Sequence, residues 1–244
     1  MKIGIQMYSL REYTQNSLDE ALDAVKESGF DGVELAGFCG LTAKELKAKL
    51  DARGLIVSGA HTGIDAVLND FDKTAKDAET LGFKDLIISA VDSKSLYENA
   101  DGVIDKLNQA AEICKKAGFR LGYHNHDFEF NGSVNYLNIF ADKVKSMFFE
   151  PDLFWFKTGG QDFFEFVKKA GDRIKVLHVK ELSKEGEEAA NPLPGDGAAN
   201  IREILNFAKK QKNIEWAVLE AEKLGCNYKD YIKASKQRIA EMIK

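Results

Sequence analysis

The sequence predicts an α/β fold closed as an eight-stranded parallel barrel, a (βα)8 architecture, and three observations carry that expectation. First, a phrase recurs along the chain: an amphipathic helical stretch, a glycine, then a short apolar run. It reads "LDAVKESGFDGVEL", "LKAKLDARGLIVSGAH", "AKDAETLGFKDLIIS" and "AAEICKKAGFRLGYH". Second, Gly29, Gly54, Gly82 and Gly118 each stand where a helix would end in a left-handed residue, which glycine adopts without steric cost. Third, the following runs are about five or six residues of Val, Ile, Leu and Phe, as expected of strands buried on both faces.

Taken in order, the strand candidates are "KIGIQM", "DGVEL", "LIVSGA", "DLIIS", "RLGYH", "SMFFE", "IKVLHV" and "EWAVLE", and a helical stretch follows nearly every one. Eight βα units joined by right-handed crossovers close into a barrel. The rival is an open doubly wound sheet, which would carry a glycine-rich phosphate turn after its first strand. Here that turn is "QMYSLREYT", with no glycine. No Pro/Ser-rich linker divides the chain, so residues 1–244 are expected to form a single barrel domain. The one loop-like stretch of low periodicity, "SKEGEEAANPLPGDGAAN" at 183–200, lies between the seventh strand and its helix, on the face where barrels carry loops that cover a substrate.

Composition narrows the function classes. An apolar fraction of 44% with 30% charged residues describes a soluble globular chain able to bury one large core. The net charge is −5, with Lys and Arg interleaved among acids, so nucleic acid is not an expected partner. Cys39, Cys114 and Cys226 are too few and too far apart for a disulfide framework or a cysteine zinc site, which fits a reducing cytoplasm. No secretion signal and no run of 18 apolar residues is present, so no membrane contact is expected.

Barrel active centres form at the C-terminal strand ends. Read there, the chain gives Gln6 and Tyr8, Glu34, His61, Ser89, His124 and His126, Asp152, His178 and Lys180, then Glu220 and Glu222. The last four strands contribute His124, Asp152, His178 and Glu220, a mixed nitrogen and oxygen set suited to a divalent ion such as Mn²⁺, Zn²⁺, Co²⁺, Mg²⁺ or Fe²⁺. Each residue also has a plainer role open to it: a strand-end carboxylate caps the next helix or pairs with a lysine, and a single His serves as a structural hydrogen-bonder. Tyr8, Glu34, His61, His126 and Trp155 are candidate substrate contacts. Gly159 and Gly160 in "FKTGGQD" could cradle a phosphate, but a lone Gly-Gly is a weak signal and a simple turn accounts for them better.

The ordered phrases "IQMYSLRE", "GFDGVELAGF", "LGYHNHDFEF", "EPDLFWFKTGGQD", "LHVKE", "PGDGAANI" and "WAVLEAE" run nearly end to end, and in that series the sequence resembles the xylose isomerase-like barrel proteins, the sugar phosphate isomerase/epimerase group. The resemblance implies one divalent metal, Mn²⁺ first among the ions above, held by Glu, Asp, His and Glu from strands five to eight. Asp152, His178 and Glu220 match the last three, while His124 stands where many members have Glu.

By that resemblance the expected activity is a metal-dependent isomerase or epimerase of a small sugar, keto sugar or sugar phosphate, acting through an enediolate. Glu220 is the expected base, Lys180 steadies the oxyanion or returns the proton, and Glu129 is a further candidate proton carrier. With His124 in place of a glutamate, a symmetric two-glutamate exchange is in doubt. Elimination is the alternative, as in inosose dehydratase and in enzymes that cleave 3-keto-glycosides. An inactive sugar-binding barrel and an apurinic endonuclease-like enzyme are the further readings, the latter disfavoured by four histidines in total and an acidic balance. Barrels of this group often pair, so a homodimer is compatible. Arg11, Lys157, Lys180 and Arg202 form no recognisable phosphate cluster in the sequence, which leaves phosphorylated and free sugars equally open.

Overall fold

A computed structural model describes residues 1–130 and 132–244. Eight parallel strands form: β1 (Lys2–Gln6), β2 (Gly32–Leu35), β3 (Ile56–His61), β4 (Asp85–Ile88), β5 (Arg120–His124), β6 (Met147–Glu150), β7 (Val176–Val179) and β8 (Trp216–Leu219). All eight expected runs are strands. The principal helix after each is α1 (Leu18–Glu27), α2 (Ala43–Asp51), α3 (Phe71–Leu81), α4 (Ala100–Lys116), α5 (Tyr136–Lys143), α6 (Phe163–Ala170), α7 (Ile201–Ala208) and α8 (Tyr228–Ile243). Among the described residues no helix is long and apolar enough to cross a membrane.

Local signals set the helix limits. Ser17 caps α1 through its side chain, and Thr42 and Glu45 form a reciprocal capping box on α2. Gly29, Gly54, Gly82 and Gly118 have φ of 81°, 62°, 83° and 78°, the left-handed geometry that ends a helix and turns the chain into its strand. Such turns cost a residue with a Cβ about 1 kcal/mol or more, which is why the glycines recur with the strands.

Pairing runs continuously in the order β6-β5-β4-β3-β2-β1-β8-β7. The two ends of this sheet then meet. Phe149 bridges Ile174, Asp152 bridges His178, and the Lys175 and His178 amides donate to Phe149 O (3.1 Å) and Pro151 O (3.0 Å). Closure therefore runs through a short seam between β6 and β7, and that seam sets Asp152 directly beside His178.

The barrel interior is layered. At the N-terminal end Arg120 forks onto Asp85 (2.5 and 2.6 Å) and also onto Glu215 (2.7 and 3.0 Å). Above this lies an apolar plug of Ile87, Phe148, Val176, Trp216 and Val218, separate from the larger core between strands and helices. Gly122 makes room for it: a Cβ there would sit 2.3 Å from Phe148 Cζ. The topmost layer is polar and carries the candidate site.

The 183–200 stretch is held as a roof next to the mouth. Glu181, 1% exposed, accepts hydrogen bonds from the amides of Leu182 (3.0 Å), Gly195 (2.8 Å) and Ala199 (2.9 Å). Asn191 donates to Glu181 O (2.9 Å) and accepts from the Glu222 and Lys223 amides (2.9 and 3.0 Å), tying the β7 loop to the β8 loop.

Filling the space at Gly122 should strain the plug. The Gly122→Ala variant is expected to lose about 1–3 kcal/mol, seen as a Tm several degrees lower in a thermal melt. An unchanged Tm would show that Phe148 can retreat.

Candidate metal centre and substrate cavity

Strand alternation delivers the polar layer. Gln6 pairs in register with Glu34, and His124 with Glu150, so these side chains point into the barrel one step above the plug. Glu34, His124, Glu150, Asp152 and His178 are all 1% exposed or less, and Glu220 is 5% exposed.

Two groups of side chains pack here, sharing His124 and His178. In the first, one ligand atom from each of His124, Asp152, His178 and Glu220 lies within 4.8 Å of the others. In the second the same holds for His61, His124, Glu150 and His178. The second group is bonded to itself and to Glu34 through one oxygen of each glutamate, while Glu34 Oε2 and Glu150 Oε2 have no partner. His178 Nε2 lies 2.8 Å from Glu34 Oε1 and 3.0 Å from Glu150 Oε1, and His61 Nε2 lies 3.0 Å from Glu150 Oε1.

The first group is left open. His124 Nδ1, Asp152 Oδ2 and His178 Nδ1 are buried without a hydrogen-bond partner. His178 Nδ1 comes 2.9 Å from Glu220 Oε2 but lacks hydrogen-bond alignment. Buried polar atoms are normally paired, since leaving one unpaired costs about 1–3 kcal/mol. Ligand atoms around one ion with bonds of about 2.0–2.3 Å stand roughly 3.5 Å apart, so these four residues fit a divalent cation.

The electrostatics of Asp152 and His124 point the same way, while the raised pKa of His178 means that a cation would have to displace one of its ring protons. Burial pushes the Asp152 carboxyl up to about 7 although Lys180 pulls against it. An adjacent cation would restore its charge. Burial drives the His124 imidazole well below its ordinary pKa, with the neighbouring histidines adding to the effect, so it is neutral, the form that ligates metal. Burial opposes ionisation of Glu220, yet the His178 contact and the Lys180 charge hold its carboxyl well below the usual range. For His178 the order is reversed: burial disfavours the charged ring, but Glu150 and Glu34 raise its pKa well above the ordinary value.

Asp152 does two things at once. Its Oδ1 accepts from the Trp155 amide (3.0 Å), capping the short helix Leu153–Thr158, while Oδ2 stays free toward the cluster. The plain capping role and the ligand role therefore coexist in one carboxylate.

A cavity of about 480 Å³ opens above the cluster, within the usual range of small-molecule sites. Tyr8, His61, His126 and Trp155, expected as substrate contacts, line it. Ala36, Ser89 and Glu222 complete its wall, and His124 and Glu220 its floor. Glu34 does not reach it: fully buried, it accepts from Gln6 Nε2 (2.7 Å) and holds His178 and His61 from below. Glu129 is also turned away. Its oxygens accept from the Tyr123 hydroxyl (2.6 Å) and the His126 amide (2.9 Å), so it fixes the loop after β5 and is not placed to carry substrate protons. Lys180, 1% exposed, sits behind the wall, against Glu222 and 3.4 Å from Glu220 Oε1, with its ammonium 4.5 Å from the Trp155 ring centre. Burial opposes its charge, but Asp152, Glu220 and Glu222 together outweigh this and raise its pKa, which makes it a fixed ammonium and a poor proton returner. Gly159 and Gly160 end the short helix as a turn.

Glu150 is the residue the sequence reading passed over. It closes the "SMFFE" run two positions before Asp152, and the same alternation that selects His124 selects it.

The pattern of the xylose isomerase-like TIM barrel matches residues 22–242. The chain belongs to this family. Among its relatives, the inosose dehydratase of Salmonella typhimurium is 22% identical over 278 residues, covering 94% of this chain and 90% of the relative. The structure of a sugar phosphate isomerase/epimerase from Parabacteroides distasonis superposes with a TM-score of 0.84 at 24% identity, covering 100% of both chains. A probable 3-DHS dehydratase from Bacillus anthracis gives 0.74 at 17% identity, covering 98% of this chain and 99% of that one. At these identities the structural likeness establishes the fold.

Two outcomes are expected. Mn²⁺ at 100 times its Kd should stabilise the metal-stripped protein by about 2.7 kcal/mol. Asp152→Asn, which keeps the helix cap, should weaken Mn²⁺ binding at least tenfold by calorimetry; equal affinity in both proteins would remove Asp152 from the ligand set.

For Glu129, burial lifts the carboxyl to about 7 against the hydrogen bond from Tyr123. A raised native pKa means the folded state holds the proton more tightly. Its contribution is therefore full below the unfolded pKa and is lost as pH rises from about 4.5 to 7, roughly 2–3 kcal/mol. Glu129→Gln should lack this decline in denaturant melts across that window, and parallel profiles would refute it.

Proposed function

We propose that the chain is a metal-dependent sugar-modifying enzyme that removes the proton beside a carbonyl of a small sugar or keto sugar and expels a β-oxygen substituent, a dehydratase or lyase reaction. One observation carries this reading: the carboxylates reaching the cavity, Glu220 and Glu222, both follow β8, and the side facing them offers His61, His124 and His126. An epimerase working by exchange on both faces of a carbon needs an acid–base group on each, whereas elimination needs one base and one donor to the leaving oxygen. The dehydratase relatives lend the same direction.

A divalent cation held by His124, Asp152, His178 and Glu220 would polarise the substrate carbonyl and acidify the neighbouring C–H bond. Glu220, ionised, takes the proton. Lys180, a fixed ammonium behind the cavity wall, holds Glu220 and Glu222 in place and acts on the site only through them. Burial pulls His61 down, but its contacts with Glu150 and Glu34 prevail and lift it to about 9, so it stands protonated on the opposite wall. The C–H electrons form the new double bond, the C–O bond breaks, and the departing oxygen takes the His61 proton and leaves as water.

The second reading is a one-base isomerase, in which Glu220 carries the proton between adjacent carbons on one face. The position of Glu220 at the floor of the cavity favours it, as does the likeness to the Parabacteroides isomerase/epimerase fold.

Incubation of the Mn²⁺-loaded protein in heavy water with a panel of keto sugars separates the two by mass spectrometry. Elimination gives a product lighter by one water, and isomerisation gives an isomer of unchanged formula carrying deuterium. Glu220→Gln should lower kcat about 10²–10⁴-fold. Neither product nor exchange across the panel would end both readings.

A further inference from the structure

Whether the substrate carries a phosphate was open from sequence, and the arrangement of donors around the mouth bears on it. A phosphate ester is normally received by Arg or Lys or by free backbone amides at a helix start or loop nest. In barrels that bind phosphate, those amides come from the loops after strands seven and eight.

Here several of these donors are already taken, and the uncapped start of α7 at Asn200 belongs to a different cavity. The loop after β7 directs the Leu182, Gly195 and Ala199 amides onto the Glu181 carboxylate, an internal anion where an external one would otherwise sit. In the loop after β8, the Glu222 and Lys223 amides are bound by Asn191 Oδ1. The short helix Leu153–Thr158 is capped by Asp152, itself an anion. The side-chain cations are no freer. Arg11 donates to Tyr8 O (3.0 Å) and Glu222 O (3.1 Å) and packs 4.3 Å from the Tyr8 ring centre. Lys157 lines a different cavity, Arg202 lies against Gly195, and Lys180 is sealed between two carboxylates and two aromatic rings. Among the described residues no Lys or Arg lines the cavity, while Glu220 and Glu222 do.

What the cavity does offer suits hydroxyl groups and C–H faces. Trp155 Nε1 and His126 Nδ1 are buried without partners in residues that line it, one a donor and the other able to accept. The rings of Tyr8 and Trp155 give it flat apolar surface, on which the C–H face of a sugar ring can stack. Resting on the reading of this cavity as the substrate site, we propose that the substrate is an uncharged polyhydroxy carbonyl compound, a free sugar or keto sugar without a phosphate ester.

The test compares binding and exchange in the full-length Mn²⁺-loaded protein. D-fructose, D-tagatose, an inosose and the 6-phosphates of the two ketoses are titrated while tryptophan fluorescence is followed, with Trp155→Phe as the control that leaves only Trp216. Deuterium exchange from heavy water is read in parallel. At least one neutral compound should quench Trp155, with the phosphate esters binding at least tenfold more weakly. Ala36→Arg, which adds a cation to the wall, should narrow that gap by roughly tenfold, the worth of one charged hydrogen bond. Esters binding as tightly as their parent sugars would overturn the proposal, and so would a panel in which no neutral compound binds. Neutral binding without exchange would leave it standing and would instead refute the enolising reaction.

Discussion

The alternation of side chains along the barrel strands is the constraint on which the rest of the molecule depends. Gly122 and His124 lie on one face of β5, and their register partners Phe148 and Glu150 lie on the same face of β6. One step down the barrel the interior is a dry plug; one step up it is a ring of imidazoles and carboxylates. A slip of one residue in either strand would send His124 or Glu150 outward among the helices and bring Tyr123 or Phe149 inward. The chemistry and the hydrophobic packing are thus fixed by the same two-residue period, and closure at the β6–β7 seam completes the ring.

Burial then sets the electrostatic terms. Ionised groups removed from water must be paired or must neutralise themselves. The lower half of the polar layer answers in part by pairing, one oxygen each of Glu34 and Glu150 being set against His61 and His178. The upper half does not close on itself: atoms of His124, Asp152 and His178 stay without hydrogen bonds although they are as deeply buried. Glu34 and Gln6, which do not line the cavity, take part by fixing which way the His178 ring faces. Side chains that orient ligands in this way influence a metal centre as the ligands themselves do.

The fold was almost fully legible in the sequence because its signals are local. Helix caps, left-handed glycines and short apolar runs each act within a few residues, and all eight strands fall where those signals place them. The convergence of His124, Asp152, His178 and Glu220 was legible for a different reason: barrel topology gathers strand ends wherever they lie in the chain. Depth was harder to read. Glu34 and Tyr8 both follow or end a strand, yet Glu34 is sealed under the cluster and Tyr8 stands 47% exposed at the rim. Glu129 looked like an acid near the mouth, and only the short turn Phe128–Phe130 reveals that it folds back onto Tyr123. Glu150 was hidden by its neighbour, since Pro151 and Asp152 draw attention past the last residue of the strand. Such distinctions depend on side-chain direction beyond the strand end, where the period no longer applies.

The roof beside the mouth has a kinetic meaning. In many barrel enzymes a long loop closes over the reactants and its reopening limits turnover. Here a single buried carboxylate gathers three amides of that segment, and Asn191 stitches it to the following loop, so raising it would break several hydrogen bonds together. The segment behaves as part of the scaffold. No residue of that segment lines the cavity, whose wall is built by Tyr8, Ala36 and Ser89 among others, so access to it does not call for the segment to lift.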